Sequence, residues 1–103
     1  MKTLKNEREF EVLLKNERSL VVDFSATWCG PCKQLTPVLE RYSKEHPGMT
    51  VVKVDVDEFG ELADKHRIQS VPTVEAYLKG ERIVRFTGSM GYDELCRKLR
   101  ELE

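Results

Sequence analysis

The sequence predicts one α/β domain built around a mixed β-sheet. Its 103 residues are close to the commonest length of a single compact domain. Short apolar runs rich in β-branched residues alternate with segments whose apolar residues recur at helical spacing. A strand, a long helix and a second strand form a crossover unit whose strands pair in parallel, whereas the last two predicted strands form an antiparallel hairpin. Helices are therefore expected on both faces of the sheet.

The N-terminal segment predicts a helix and then a strand. Asn6 and Glu9 have the spacing of an N-cap and its capping-box partner, and the helical apolar pattern that follows ends at about Lys15. The run Leu20–Phe24 is apolar except for Asp23, which predicts a strand covered on both faces. A carboxyl group inside such a strand is the anomaly of this segment.

The middle of the chain predicts the long helix and the second strand of the crossover unit. The helix is expected to begin near Pro31, where a missing N–H removes no helical hydrogen bond, and to end before Pro47. Its apolar stripe consists of Leu35, Val38, Leu39 and Tyr42. The run Thr50–Val56 predicts a second buried strand. A short helix should follow, with one face formed by Phe59, Leu62, Ala63 and His66.

The last third of the chain predicts a β-hairpin and a final helix. A Lys-Gly turn separates Val71–Leu78 from Glu81–Thr87. One side of the final helix contains Tyr92, Leu95, Cys96, Leu99 and Leu102. Cys96 on this stripe is more typical of a small buried apolar residue than of a regulatory thiol. Glu75 departs from the apolar pattern expected of the first hairpin strand.

Composition limits the range of partners. With 17 basic and 18 acidic residues, the chain has no broad positive field to hold nucleic acid or an anionic membrane. No run is long and apolar enough to cross a bilayer, and the charged segment Met1–Phe10 is not followed by the apolar stretch of a secretory signal. Three cysteines are unlike a secreted disulfide framework and favour cysteine chemistry in a reducing compartment. Proteins or small molecules are the expected partners, and the cytoplasm is the expected location.

Two cysteines separated by two residues lie at the start of the long predicted helix. Cys29 precedes the first turn, where unpaired backbone N–H groups and the positive end of the helix dipole favour a thiolate. Cys32 lies one turn into the helix, close enough to form a disulfide with Cys29. The pattern predicts thiol–disulfide exchange, in which Cys29 attacks a target disulfide and Cys32 resolves the mixed disulfide. Pro31 stiffens the turn between them, and Gly30 keeps the approach open.

Two other interpretations of the cysteine pair are weighed against redox chemistry. Zinc needs about four ligands, and beyond the pair only His46, His66 and Cys96 remain, at spacings unlike zinc motifs. No metal is therefore expected. An inert pair of core cysteines is the second alternative, but a strand-to-helix loop with Gly-Pro between the thiols is a poor place to bury them. Redox chemistry is favoured over both.

The segment Val22–Lys33, with the sequence VDFSATWCGPCK, resembles the active-site segment of the thioredoxins. The likeness covers residues 1–103 as one thioredoxin domain and includes Pro37, Val71-Pro72-Thr73, Gly80 and Gly88. It implies the thioredoxin fold, with a central mixed sheet of about five strands flanked on both faces by about four helices. It also implies a protein-disulfide reductase that takes part in cell redox homeostasis and works through a redox-active disulfide. No bound cofactor is implied, because a thioredoxin reductase drawing on NADPH regenerates the dithiol.

The resemblance assigns catalytic roles to two further residues. Asp23 matches a buried acid that helps to move the proton of the resolving thiol, and the loss of solvation inside a strand should raise the pKa of this carboxyl group. Lys53 matches a lysine near that acid, whose charge would moderate the rise. The alternative is that Asp23 and Lys53 satisfy each other as a structural pair.

The resemblance also implies a docking surface for disulfide-containing proteins. Pro72 matches the cis-proline that faces the sulfurs, and Val71 before it leaves backbone groups free for a bound peptide. Trp28, Pro31 and Gly88 complete an apolar surface. The alternatives are a core tryptophan, an ordinary trans proline at a strand start, and a glycine that merely ends a strand.

A second class of function fits the same sequence. In this alternative the apolar surface docks a partner as a redox-switched binding module or regulatory subunit. An oxidase or isomerase is a third alternative, and the redox potential would distinguish it from a reductase. The chain is expected to act as a monomer.

Overall fold

The computed structural model describes residues 1–103. Its helices and strands alternate along most of the chain. In order they are β1 (Lys2–Thr3), α1 (Glu7–Asn16), β2 (Ser19–Ser25), α2 (Gly30–Glu45), β3 (Thr50–Asp55), α3 (Gly60–Lys65), β4 (Thr73–Leu78), β5 (Glu81–Thr87), α4 (Tyr92–Lys98) and a 3₁₀ turn (Arg100–Leu102). The predicted α/β architecture with about five strands and four helices is confirmed.

The five strands form one mixed sheet in the order β1-β3-β2-β4-β5. Strand β3 is parallel to β1 and β2, whereas β4 is antiparallel to β2 and β5. The central strand β2 is buried along its whole length. Its register places Asp23 beside Lys53 on one side and Val74 on the other. The crossover unit and the hairpin predicted from the sequence are both present.

Helices cover both faces of the sheet, so there are two apolar cores. Helices α2 and α4 cover one face, through Leu35, Leu39, Tyr42 and Leu95, together with Leu99 just after α4. Helices α1 and α3 cover the other, through Phe10, Leu13 and Leu62. None of the helices is both long and apolar enough to serve as a membrane span.

The main differences from the sequence prediction are the start of β4, the end of the final helix and one strand that was missed. Strand β4 begins at Thr73 rather than Val71, because Pro72 has no N–H to donate to a ladder. The final helix ends at Lys98 and continues only as a tight 3₁₀ turn, as helix ends often do. Strand β1 was not predicted, because two residues carry no periodicity; its pairing with β3 is a backbone contact.

Candidate active site

The two cysteines lie where β2 ends and α2 begins. Cys29 is the N-cap residue of α2, and Cys32 lies in its first turn. They form a disulfide with their Cα atoms 5.3 Å apart. Both are nearly covered, at 5% and 2% exposed, and they pack with Ala26 against Val56 and Val71. The predicted intramolecular disulfide is thus present, at an end of a parallel pair of strands, where sites in α/β sheets commonly form.

The backbone around Cys29 favours negative charge on its sulfur. The N–H of Cys32 donates a hydrogen bond to the Sγ atom of Cys29 at 3.1 Å. The first turn of α2 contains no acidic residue, so nothing there offsets the positive end of the helix dipole. A thiolate at Cys29 would accept the same N–H once the disulfide is reduced. Cys32 has its own N–H engaged in that bond and lies within the helix.

The loop before β4 approaches the cysteines from the other side. The carbonyl oxygen of Val71 lies 3.6 Å from the Sγ atom of Cys29. The N–H of Val71 makes no hydrogen bond within the chain. The Val71–Pro72 peptide bond is cis, and Pro72 is buried. The N–H of Gly88 donates to the carbonyl of Pro72 at 3.0 Å, and Gly88 has a φ of 93°, which favours glycine.

Trp28 is a surface residue, which rules out the core-tryptophan alternative. Its side chain is 69% exposed, and its indole N–H donates to a carboxylate oxygen of Asp57 at 2.7 Å. Gly30 and Pro31 beside it are exposed as well. Trp28 also forms one wall of a groove of about 160 Å³, together with Val56, Ile68, Gln69, Ser70 and Val71. The groove leads from the indole to the segment that faces Cys29.

The role of Asp57 was not predicted. Asp57 is 29 residues from Trp28, and only the fold brings the two together. The hydrogen bond fixes one edge of an otherwise exposed indole ring, so the ring face stays available for contact.

Asp23 is fully buried, and neither of its carboxylate oxygens has a hydrogen-bond partner. Burial raises the pKa of Asp23 to about 6, although the positive charge of Lys53 acts in the opposite direction. The two residues are neighbours in the sheet register but form no hydrogen bond. The alternative in which they satisfy each other as a bonded pair is therefore not what the structure has. A buried carboxyl group with a pKa near neutrality can both release and accept a proton.

A second cavity lies on the Cys32 side of the disulfide. It has a volume of about 360 Å³, and its lining includes Cys32, Lys33, Thr36 and Lys53. Most of its lining residues are polar or charged, although Cys32 itself is only 2% exposed. Lys53, half-buried in β3, joins this cavity to the strand position beside Asp23.

Two further predictions concern metal binding and the third cysteine. No group of three or more His, Cys, Asp or Glu side chains lies close enough to hold a metal ion. Cys96, in α4, is a free and half-buried thiol that packs against the apolar core on the face of the sheet covered by α2 and α4. That position matches a small apolar residue at the edge of the core.

Comparisons with known proteins agree in sequence and in structure. A family model described as Thioredoxin matches residues 1–101. The chain is 38% identical over 100 residues to a thioredoxin of Mycoplasmoides gallisepticum, covering 97% of this chain and 100% of that protein. It is similar to a solved structure of Plasmodium falciparum thioredoxin, at 34% identity and a TM-score of 0.91, with 98% of each chain covered. It is also 38% identical over 94 residues to a bifunctional thioredoxin reductase/thioredoxin of Mycobacterium leprae, covering 90% of this chain and 20% of that protein.

Proposed function

The chain belongs to the thioredoxin family and is a thiol–disulfide oxidoreductase, and on that premise we propose how its residues divide the work of reducing a protein disulfide. The observation that carries the proposal is the hydrogen bond from the N–H of Cys32 to the sulfur of Cys29 at the N-terminus of α2. It favours the thiolate at Cys29 and not at Cys32.

In the first step Cys29 is the nucleophile. Its thiolate attacks one sulfur of the target disulfide, the target S–S bond breaks, and a mixed disulfide forms. The leaving sulfur of the target departs as a thiolate and takes up a proton. Trp28, Pro31, Val71 and Gly88 bind the target, with the unpaired N–H of Val71 available to its backbone.

In the second step Cys32 resolves the intermediate. Its thiol loses a proton and attacks the sulfur of Cys29; the Cys29–Cys32 disulfide forms, and the second target sulfur leaves and is protonated. Two electrons and two protons have then passed to the target. Asp23 accepts the proton of Cys32 at neutral pH, because a carboxyl group with a pKa of about 6 is mostly ionised there and is still basic enough to bind a proton. Lys53 keeps that pKa from rising further.

Regeneration of the dithiol requires a partner. We propose a thioredoxin reductase that draws on NADPH, so that the chain itself binds no cofactor. The Mycobacterium leprae relative, in which a reductase and a thioredoxin are named together, supports this partnership. A cytoplasmic location and a monomeric state complete the proposal, and the net charge of −1 suits a partner that is neither nucleic acid nor membrane.

Trapping of the mixed disulfide tests the two roles. Cys32→Ser should accumulate a stable covalent adduct with a disulfide-containing protein such as insulin, whereas Cys29→Ser should accumulate none. Adducts are counted on non-reducing gels after the free thiols have been alkylated. Equal trapping by the two variants would refute the assignment.

The proton step has its own test. Asp23→Asn should slow resolution near neutral pH, since an amide side chain cannot take up the proton of Cys32. The rate at which the adduct breaks down, followed across a pH series, measures this step. A profile identical to that of the wild type would remove Asp23 from the mechanism.

A further inference from the structure

A second buried carboxylate lies in the sheet away from the cysteines. Glu75, in the middle of β4, is fully buried on the face covered by α1 and α3. It accepts hydrogen bonds from His66 Nδ1 at 2.7 Å, Tyr77 Oη at 2.6 Å, Arg82 Nη1 at 3.1 Å and Arg85 Nη1 at 3.0 Å. Four donors from three different elements of the chain therefore converge on one side chain.

This network holds Glu75 in its charged form. Burial alone would raise the pKa of Glu75, but the hydrogen bonds from His66 and Tyr77, together with the nearby positive charge, lower it to about 2. A buried ion network is costly to assemble and often contributes little net stability compared with apolar packing. Stability alone therefore does not explain why β4 contains this network rather than an apolar residue.

Arg85 connects this network to the backbone after α3. Its Nη1 atom also donates to the carbonyl of His66 at 2.6 Å, and its Nη2 atom donates to the carbonyl of Arg67 at 2.9 Å. Arg67 has a φ of 54°, a strained value for a residue with a side chain. The helix end has its own backbone closure, from the N–H of Ile68 to the carbonyl of Ala63 at 3.0 Å. Arg85 binds the carbonyls of the two residues that follow α3, His66 and Arg67.

The segment that starts at this tether is the one that docks the target in the proposed function. Only residues 68–72 separate the tether from β4, and Ile68, Gln69, Ser70 and Val71 line the groove beside Trp28. The far end is held by the hydroxyl of Thr73, which donates to the carbonyl of Ser70 at 2.7 Å. Because the segment is so short, a displacement of residues 66–67 would also move the carbonyl of Val71, which lies 3.6 Å from the Sγ atom of Cys29.

We propose that Glu75 and Arg85 are positioning residues for target binding. Glu75 orients the guanidinium group of Arg85, and Arg85 holds the carbonyls of His66 and Arg67, so that residues 68–72 keep the shape that receives the target. This inference rests on the proposed docking role of that segment. It predicts an effect on target recognition and none on the chemistry of the thiols.

A matched pair of variants isolates the tether. Arg85→Gln removes the fork to the two carbonyls, whereas Arg82→Gln removes a bond to the same carboxylate without touching residues 66–67. Protein reduced beforehand is mixed with increasing insulin, and its oxidation is followed in a single turnover. Arg85→Gln should raise the half-saturating insulin concentration at least about threefold and change the limiting rate less than about twofold. Arg82→Gln should leave both values unchanged.

Two controls separate positioning from loss of fold or of activity. The small disulfide 5,5′-dithiobis(2-nitrobenzoic acid) needs no docking groove, so both variants should reduce it at the wild-type rate. Amide hydrogen exchange over residues 67–71 should be faster in Arg85→Gln than in Arg82→Gln, and this comparison holds even if insulin were not a target. If Arg85→Gln does not fold, Arg85→Lys keeps the charge but not the planar fork and should show the same changes.

The outcomes are distinguishable. Equal half-saturation and equal exchange in the two glutamine variants would overturn the tether while leaving the roles of the cysteines intact. If Arg85→Gln reduced both insulin and the small disulfide more slowly by the same factor, Arg85 would be merely structural, and the tether would be overturned as well. Failure of Cys32→Ser, with Arg85 intact, to form the mixed disulfide would refute the proposed function instead.

Discussion

Replacement of Asp23 by asparagine should remove a loss of stability that the wild-type protein shows as the pH rises from about 4 to neutrality. The folded-state pKa of Asp23 is about 6, against an ordinary value of 3.8. Since each pK unit corresponds to about 1.4 kcal/mol, the ionised carboxylate costs the folded state about 3 kcal/mol. That is a large fraction of the stability of a small domain, typically about 5–15 kcal/mol.

The sign follows from proton binding. Because the pKa is raised on folding, the folded protein holds the Asp23 proton more tightly than the unfolded chain does. Stability contributed by this group is complete below pH 3.8 and is lost as the pH rises towards about 6. Asparagine does not ionise, so the variant lacks this loss. Its buried amide carries a cost of its own, but that cost is the same at every pH.

Denaturant unfolding of the disulfide form measures the effect. The free energy of unfolding of Asp23→Asn minus that of the wild type should increase by about 2–3 kcal/mol between about pH 4 and about pH 8. Asp64→Asn is a matched control, because Asp64 is exposed and its charge meets water in both states. A difference that stays flat with pH for Asp23→Asn would show that the carboxyl group is not held in the environment described above.

Three further predictions concern the surroundings of the site. Lys53→Gln removes the charge that lowers the pKa of Asp23. The pH at which the loss of unfolding free energy is half complete, and the pH dependence of the rate at which the adduct breaks down, should both move to higher pH; a shift to lower pH would contradict the reasoning. Trp28→Ala should raise the half-saturating insulin concentration about tenfold, as loss of an aromatic anchor does, with an unchanged rate towards the small disulfide. Glu75→Gln should lose less stability than the wild type as the pH falls from 4.5 towards about 2. The lowered pKa of Glu75 means that the ionised carboxylate stabilises the wild-type fold fully above this range and that this stabilisation is lost within it. Parallel acid unfolding curves for the two proteins would argue against the network.

The parts predictable from sequence are those fixed by neighbours along the chain. Helix α2 and strand β2 have strong patterns of their own, and the pair Cys29 and Cys32 is a local motif whose position at a helix start follows from these patterns. The burial of Asp23 followed in the same way, since it interrupts an apolar strand. These features need no knowledge of the distant chain.

The parts that the sequence did not predict depend on contacts across the fold. The sequence indicated Glu75 only as a departure from an apolar pattern. Its partner Arg85 lies ten residues later, on β5, and its partner His66 lies nine residues earlier, at the end of α3. The sequence indicated His66 only as part of a short helical face and as one of too few candidates for a zinc site. The predicted hairpin brings the strands of Glu75 and Arg85 together, but the sequence has no signal that adds His66 to the pair.

The two buried carboxylates of this sheet show how one chemical group acquires two behaviours. Asp23 has no hydrogen-bond donor on either oxygen and a raised pKa; Glu75 has four donors and a lowered one. A group that must exchange a proton near neutrality cannot be fully hydrogen-bonded, because each donor stabilises the ionised form and holds the proton away. A group that must hold an arginine in place has to stay ionised at all working pH values, and so needs those donors. The absence of partners at Asp23 therefore suits the proton transfer proposed for it, just as the four donors at Glu75 suit the positioning role proposed for that residue.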